Sequence, residues 1–156
     1  MKLFFLIFPL LFGACSVKNY EHTKSKIIII KSPKLKFADL GYIRNTNKSL
    51  ELELFVAGKS VSKISINHLI CVKNGCMSKA GFNEEYLDEN YPDDILQNIL
   101  LSKPIYDGLH VEKNVDGFVQ KIENKNVNIS YKVTSHVTYF KDRKNNILFK
   151  IKDINE

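Results

Sequence analysis

The stretch LELELFV at residues 50–56 decides the fold class of this 156-residue chain. Apolar and charged side chains alternate through it. Because successive side chains of a β-strand point to opposite faces, the leucines are predicted to face a core and the glutamates to face water. The same alternation recurs at residues 127–134. Both stretches indicate half-buried strands of an antiparallel sheet.

Further strands are predicted on both sides of this stretch. The four isoleucines at 27–30 are β-branched and are followed by Pro33, which favours a strand buried on both faces over a buried helical turn. Residues 60–71 are predicted to form one strand, with His68 on the same face as three isoleucines. Three more strands are predicted at residues 118–123, 136–141 and 147–152.

The β pattern is interrupted between residues 79 and 101. Asn83 is predicted to cap a short helix over residues 84–87, and Pro92 to open a second helix with one apolar stripe. The fold class is therefore α+β: an antiparallel β-sandwich or bent β-meander in a single globular domain over residues 26–156. It carries a helical insertion at about residues 83–101.

The N-terminus resembles the signal peptide of a bacterial lipoprotein. Its apolar run at residues 3–11 is shorter than the about 20 residues needed to cross a bilayer. Gly13, Ala14 and Cys15 match the end of a lipobox, so residues 1–14 are predicted to be removed and Cys15 to be acylated. Residues 15–25 would then form the lipidated cysteine and a polar tether. Cleavage after Ser16 is the alternative, and it would give a soluble periplasmic protein.

The predicted destination is the cell envelope. Ser16, rather than Asp, follows Cys15, and by resemblance to the enterobacterial sorting rule this favours the outer membrane. Removal of residues 1–14 lowers the net charge from +6 to +5. This basic excess fits either contact with anionic lipid headgroups or simple solubility. No nucleic-acid motif is present, so the expected partners are the membrane, through the lipid on Cys15, and an envelope protein.

Cys71 and Cys76 are predicted to form a disulfide, because an exported chain with Cys15 acylated retains an even number of cysteines. A four-residue hairpin loop between them would place the two cysteines opposite each other. A tight Asn74-Gly75 turn would instead make the bridge diagonal. The remaining alternative is two free thiols.

No metal or cofactor is predicted. His68, Cys71 and Cys76 could supply three zinc ligands, whereas a structural zinc site needs four. The acidic run over residues 84–94 lacks the Gly and Glu positions of a calcium loop. It fits solvated acids near helix starts, or else a weak cation site or a basic partner. Catalytic motifs are absent from the sequence, so an enzyme is not predicted.

Several stretches resemble a group of small lipoproteins of epsilonproteobacteria of the Campylobacter and Helicobacter type. They are the lipobox, CVxNGCMS at 71–78, FNxxYL at 82–87, YPxDILxNIL at 91–100 and FKDxKN at 140–145, where x marks a position that does not carry the resemblance. The resemblance implies an envelope location. It implies no reaction, so no catalytic residue is carried over to this chain.

The sequence therefore predicts a non-enzymatic lipoprotein that binds or supports another envelope component. The expected contact surface is the cystine loop and the segment after it, because irregular segments on rigid scaffolds often carry binding. Its candidate residues are Lys73, Asn74, Gly75, Glu84, Glu85 and Asp88. The alternatives are a surface-exposed adhesin and a small hydrolase or apolar-ligand carrier, of which the latter requires a pocket with convergent polar groups.

Overall fold

The structure is a computed structural model that describes residues 22–154. The predicted signal peptide (1–14), Cys15 and the first part of the predicted tether lie outside the described residues. Within these residues there are eleven strands: β1 (His22–Lys31), β2 (Lys36–Asn45), β3 (Leu50–Val56), β4 (Lys59–Ile66), β5 (Ile70–Val72), β6 (Gly75–Met77), β7 (Val111–Asn114), β8 (Gly117–Glu123), β9 (Asn128–Thr134), β10 (Val137–Asp142) and β11 (Ile147–Asp153). Two helices, α1 (Lys79–Tyr86) and α2 (Ile95–Leu100), and a 3₁₀ turn (Tyr106–Gly108) lie between β6 and β7.

The strands in the described part of the chain belong to one antiparallel sheet in the order β6-β5-β4-β3-β2-β1-β11-β10-β9-β8-β7. β1 pairs with β2 on one side and with β11 on the other, and so joins an N-terminal meander to a C-terminal one. The helical segment connects the two edge strands. This is the predicted antiparallel meander with a short helical insertion.

One continuous hydrophobic core lies between the inner face of the sheet and the helical segment. Aromatic rings form its C-terminal half: Phe140 contacts Tyr91, Tyr131 and Phe149 edge-on, with ring centroids 6.0–6.1 Å apart. Such edge-to-face pairs add to the stabilisation from burial alone. Tyr91 belongs to the helical segment, so the rings attach that segment to the sheet.

The polar segment at residues 22–25 is part of β1 and not of a tether. His22 is opposite Asn45 and Ser25 is opposite Tyr42, so these residues add to the edge of β2 through backbone pairing. The predicted tether over residues 15–25 is therefore too long by these four residues. Strand pairing uses N–H and C=O groups, so a strand end needs no apolar side chains.

The predicted single strand over residues 60–71 was wrong. β4 ends at Ile66, and Asn67 accepts a hydrogen bond from Leu69 N through its side chain (2.8 Å), which turns the chain into β5. His68 is consequently exposed in this turn rather than placed on the isoleucine face. An Asn side chain that bonds the backbone two residues on competes with strand continuation.

The helical insertion begins four residues earlier than predicted. Ser78, not Asn83, caps α1 by accepting a hydrogen bond from Gly81 N (3.0 Å). Asn83 is fully buried, and its side-chain NH₂ donates to Pro92 O (3.0 Å) and Tyr91 O (3.3 Å). α2 begins at Ile95 instead of Pro92, and its predicted apolar stripe is buried.

One of the two glutamates predicted to face water does not. Glu51 is only 3 % exposed, although it lies on the outer face of β3. Its carboxylate contacts Arg44 at 3.1 Å and Lys63 at 2.8 Å, from the strands on either side. Cross-strand cations thus cover this acid, and the alternation in residues 50–56 assigned its face but not its burial.

Candidate functional site

The cystine hairpin consists of β5, β6 and the turn between them. Cys71 and Cys76 are opposite each other and form the disulfide that the sequence predicted. The turn residues are Lys73 and Asn74, because Val72 already pairs with Gly75. The chain therefore turns at Lys73-Asn74 and not at Asn74-Gly75. This register places the two cysteines directly opposite each other, so the bridge is not diagonal. The disulfide closes a short hairpin at one edge of the sheet.

The other candidate contact residues occupy two kinds of position. Lys73, Asn74 and Gly75 are exposed at the hairpin tip, while Glu84 and Glu85 are exposed on α1. Glu85 forms an ion pair with Lys34 (3.2 Å), of which both side chains are well solvated. Asp88 is half-buried. Its carboxylate accepts hydrogen bonds from the backbone and side chain of Asn90 and so stabilises the turn after α1. The residues available for contact are therefore the hairpin tip and the two glutamates.

A second candidate site is a cleft of about 250 Å³ at the start of β1, where α2 ends. β1 contributes alternate residues of its polar beginning, and the turn between β9 and β10 forms the opposite wall. The lining residues are His22, Lys24, Lys26, Ile43, Asn45, Leu100, Leu101, Ser102, Thr134, Ser135, His136, Val137, Thr138 and Ile151. The cleft has an apolar floor beneath cationic and hydroxyl groups.

Charged and polar side chains around this cleft form ion pairs and hydrogen bonds with one another. Lys26 forms an ion pair with Asp153, whose other carboxylate oxygen is 3.4 Å from His136 Nδ1. The bond from Lys26 is the main cause that lowers the pKa of Asp153, with His136 adding to it. Ser102 and Thr138 share a hydrogen bond of 2.6 Å between their hydroxyls. Because Asp153 occupies Lys26, the donors that a small anionic ligand could use are Lys24 and the hydroxyl groups of the cleft.

Buried hydrogen bonds attach the segment that follows α2 to the sheet. The Tyr131 hydroxyl donates to Lys103 O (3.0 Å), and burial raises the pKa of this tyrosine. Gln120 accepts from Ile105 N (2.9 Å) and donates to Ile105 O (3.0 Å) and Leu109 O (2.7 Å). Since a buried amide is costly without partners, these bonds hold the backbone beside the cleft in place.

The sequence did not predict the cleft. Its residues come from β1, β2, the end of α2, the turn between β9 and β10, and β11. The one local signal was the alternation of His22, Lys24 and Lys26 with Thr23 and Ser25. That signal carried no strand prediction, because neither face of this segment is apolar.

Within residues 22–154, no three His, Cys, Asp or Glu side chains lie close enough together to hold a metal ion. No helix in this part of the chain has both the length and the apolar character to span a bilayer. The chain matches no protein-family model, no curated protein and no solved structure.

Proposed function

We propose that the protein is a non-enzymatic binding lipoprotein of the cell envelope, anchored in the outer membrane through acyl chains on Cys15. The cystine hairpin and the exposed face of α1 contact an envelope protein partner. The resemblance to small epsilonproteobacterial lipoproteins agrees with this assignment. Two or more acyl chains on one residue make the anchor effectively stable, whereas a single chain binds only marginally.

The observation that carries this proposal is the disulfide between Cys71 and Cys76. Structural disulfides persist in oxidising compartments such as the periplasm and are rare in the cytosol. Strand β1 includes His22, which is seven residues after Cys15. A fully extended chain of that length spans at most about 25 Å, so the domain stays close to the surface that holds the anchor.

The first test is the mass of the mature protein extracted from membranes, measured with and without reduction. The expected mass corresponds to residues 15–156 plus acyl chains, and reduction should add two hydrogen atoms at the 71–76 bridge. A Cys15→Ser variant should lose the acyl mass and leave the membrane fraction. An unacylated chain that starts after Ser16 would contradict the anchor.

The proposed contact surface is tested by a photo-crosslinking amino acid placed at Lys73 in intact cells. We expect a crosslinked envelope protein from this position and none from Lys125, a matched exposed lysine in the turn between β8 and β9. The Cys71→Ser, Cys76→Ser double variant should lose the adduct. It should lose less than about 2 kcal/mol of stability, because opening so short a ring adds little unfolded-state entropy.

Two outcomes of this experiment would contradict the contact surface. One is equal crosslinking from both lysines. The other is undiminished crosslinking at Lys73 after the cysteines are replaced, which would separate the disulfide from partner contact. Protease added to whole cells then distinguishes the adhesin alternative, because only a surface-exposed domain is removed.

The cleft supports a second candidate function, a carrier of a small ligand. Its volume of about 250 Å³ lies below the about 300–1,000 Å³ typical of sites for drug-sized molecules. The cationic rim favours a small anion over the apolar ligand that the sequence suggested. An unacylated mature chain in the mass measurement would favour this function, since a soluble periplasmic protein can carry a ligand.

A further inference from the structure

The outer face of five consecutive strands, from β2 to β9 in the sheet order, is strongly cationic. On β9, β10, β11, β1 and β2, the side chains that point away from the core alternate with buried ones. In the described parts of these five strands, no Asp or Glu lies on the outer face. Asp39, Asp142 and Asp153 are paired with residues of the inner face and therefore lie on that face. Six lysines define what we call the lysine face: Lys31, Lys36, Lys132, Lys141, Lys150 and Lys152.

Like charges are adjacent on this face. Lys31 is directly opposite Lys36 in the pairing of β1 with β2. Across β11, Leu148 is opposite both Lys31 and Lys141, so one row across four strands carries three lysines. Directly opposed like charges destabilise a sheet. None of the six lysines forms an ion pair with a residue in the described range 22–154, so this arrangement is not explained by stability.

Apolar side chains are interleaved with the lysines. Lys152 lies between Val137 and Ile27, and Ile27 is 38 % exposed. Lys150 lies between Tyr139 and Ile29 in the next row. A lysine stem lies on apolar surface while its ammonium group stays in a polar medium. The face therefore combines cationic groups with exposed apolar surface, as membrane-surface segments do.

We propose that the lysine face lies on the anionic headgroups of the membrane to which the protein is anchored. This inference rests on the proposed anchor for its location. The charge complementarity is independent of that anchor, since cationic surfaces are attracted to anionic lipid within a Debye length. Contact with the bilayer would leave the cystine hairpin at the far edge of the N-terminal meander accessible to a protein partner.

The test uses the chain beginning at residue 15 with Cys15→Ser, so that no acyl chain contributes. Its binding is measured on vesicles of phosphatidylcholine alone and on vesicles that contain phosphatidylglycerol. We expect at least tenfold tighter binding to the anionic vesicles, weakened by added NaCl. Replacing Lys31, Lys141, Lys150 and Lys152 by Gln should remove this preference.

The matched control replaces Lys59, Lys73, Lys113 and Lys125 by Gln, which changes the net charge equally at exposed positions outside the lysine face. This control should retain the preference for anionic vesicles. Equal loss in both variants would overturn the proposal in favour of net charge alone. Tighter binding to a short DNA duplex than to the vesicles, or absence of any lipid preference, would also overturn it.

A second measurement covers the case in which the four-lysine variant does not fold. In the unaltered mature protein, amine-reactive labelling followed by mass spectrometry reports each lysine separately. On anionic vesicles, Lys150 and Lys152 should be protected while Lys73 and Lys113 stay reactive, and uniform reactivity would contradict the proposal. If the mature chain is acylated but its lysines are not protected, the proposed membrane contact of the lysine face is wrong and the lipid anchor stands. If the lysines are protected but the mature chain is not acylated, the lipid anchor is wrong and the membrane contact stands.

Discussion

Replacing Asp142 by alanine is expected to lower the free energy of unfolding by about 3 kcal/mol or more, because it leaves several buried donors without an acceptor. Asp142 is fully buried at the end of β10. Oδ2 accepts from the Tyr91 hydroxyl (2.8 Å) and from Asn145 Nδ2 (2.9 Å). Oδ1 accepts from the backbone N–H groups of Asn128 (3.1 Å), Lys144 (2.9 Å) and Asn145 (3.3 Å).

This carboxylate connects three parts of the fold. Through Asn128 it meets the start of β9, through Lys144 and Asn145 it orders the turn into β11, and through Tyr91 it holds the helical segment. Burial and the bond to Asp142 both raise the pKa of Tyr91, so the phenol stays protonated and donates. A group that serves three elements at once is costly to remove, because each element loses a bond.

Urea unfolding followed by circular dichroism measures this effect. Tyr91→Phe should cost less than Asp142→Ala, and the double variant should cost less than the sum, because the two residues share one bond. Asp116→Ala is the control, since Asp116 lies on an exposed turn and its carboxylate accepts hydrogen bonds from the backbone and hydroxyl of Ser135. A cost for Asp142→Ala no greater than for Asp116→Ala would contradict the role of this carboxylate.

Replacing Arg44 by methionine is expected to cost about 2 kcal/mol, since it removes a partner of the buried Glu51 carboxylate. Arg44 Nη1 contacts Glu51 Oε1 at 3.1 Å and Glu53 Oε2 at 2.5 Å. Lys63 remains beside Glu51 at 2.8 Å, which limits the cost. Arg44 also packs over the Tyr42 ring, with its guanidinium carbon 5.2 Å from the ring centroid.

Thermal and urea unfolding at neutral pH check this cost against Lys63→Met. The Lys63 side chain is 51 % exposed, so its loss should matter less. Adding Glu51→Gln to Arg44→Met should restore part of the stability, because the buried charge is then gone. The absence of any such recovery would show that Arg44 acts through its packing on Tyr42.

The same arginine affects stability in acid. The bond from Arg44 is the main cause that lowers the pKa of Glu53 below its usual 4.5. Since the folded state then binds this proton less readily than the unfolded state, the contribution is present above about pH 4.5 and is lost as pH falls through the lowered pKa. Stability measured from pH 5 to pH 2 should therefore fall less steeply in Arg44→Met. An unchanged slope would contradict the assignment.

Several buried polar interactions that hold the fold together involve residues that the sequence marked for other reasons. Tyr91 and Asp142 lie in two of the stretches that carry the resemblance to epsilonproteobacterial lipoproteins, yet nothing in the sequence pairs them. Glu51 was assigned to a solvated face by its alternation with leucines. Both acids are buried because donors from neighbouring strands, turns and the helical segment surround them, and local periodicity contains no information about such donors.

By itself, the sequence determined the strands with a clear apolar face, the helical interruption, and the pairing of Cys71 with Cys76. These features depend on neighbours in the chain: the period of two in β3 and β9, and the short spacing of the cysteines. The tertiary structure alone decided the pairing of β1 with β11, the strand formed by residues 22–25, the cleft and the lysine face. The physical reason is that backbone hydrogen bonds are alike in every strand, so which strands become neighbours, and which side chains they bring together, is settled only when the whole sheet packs around its core.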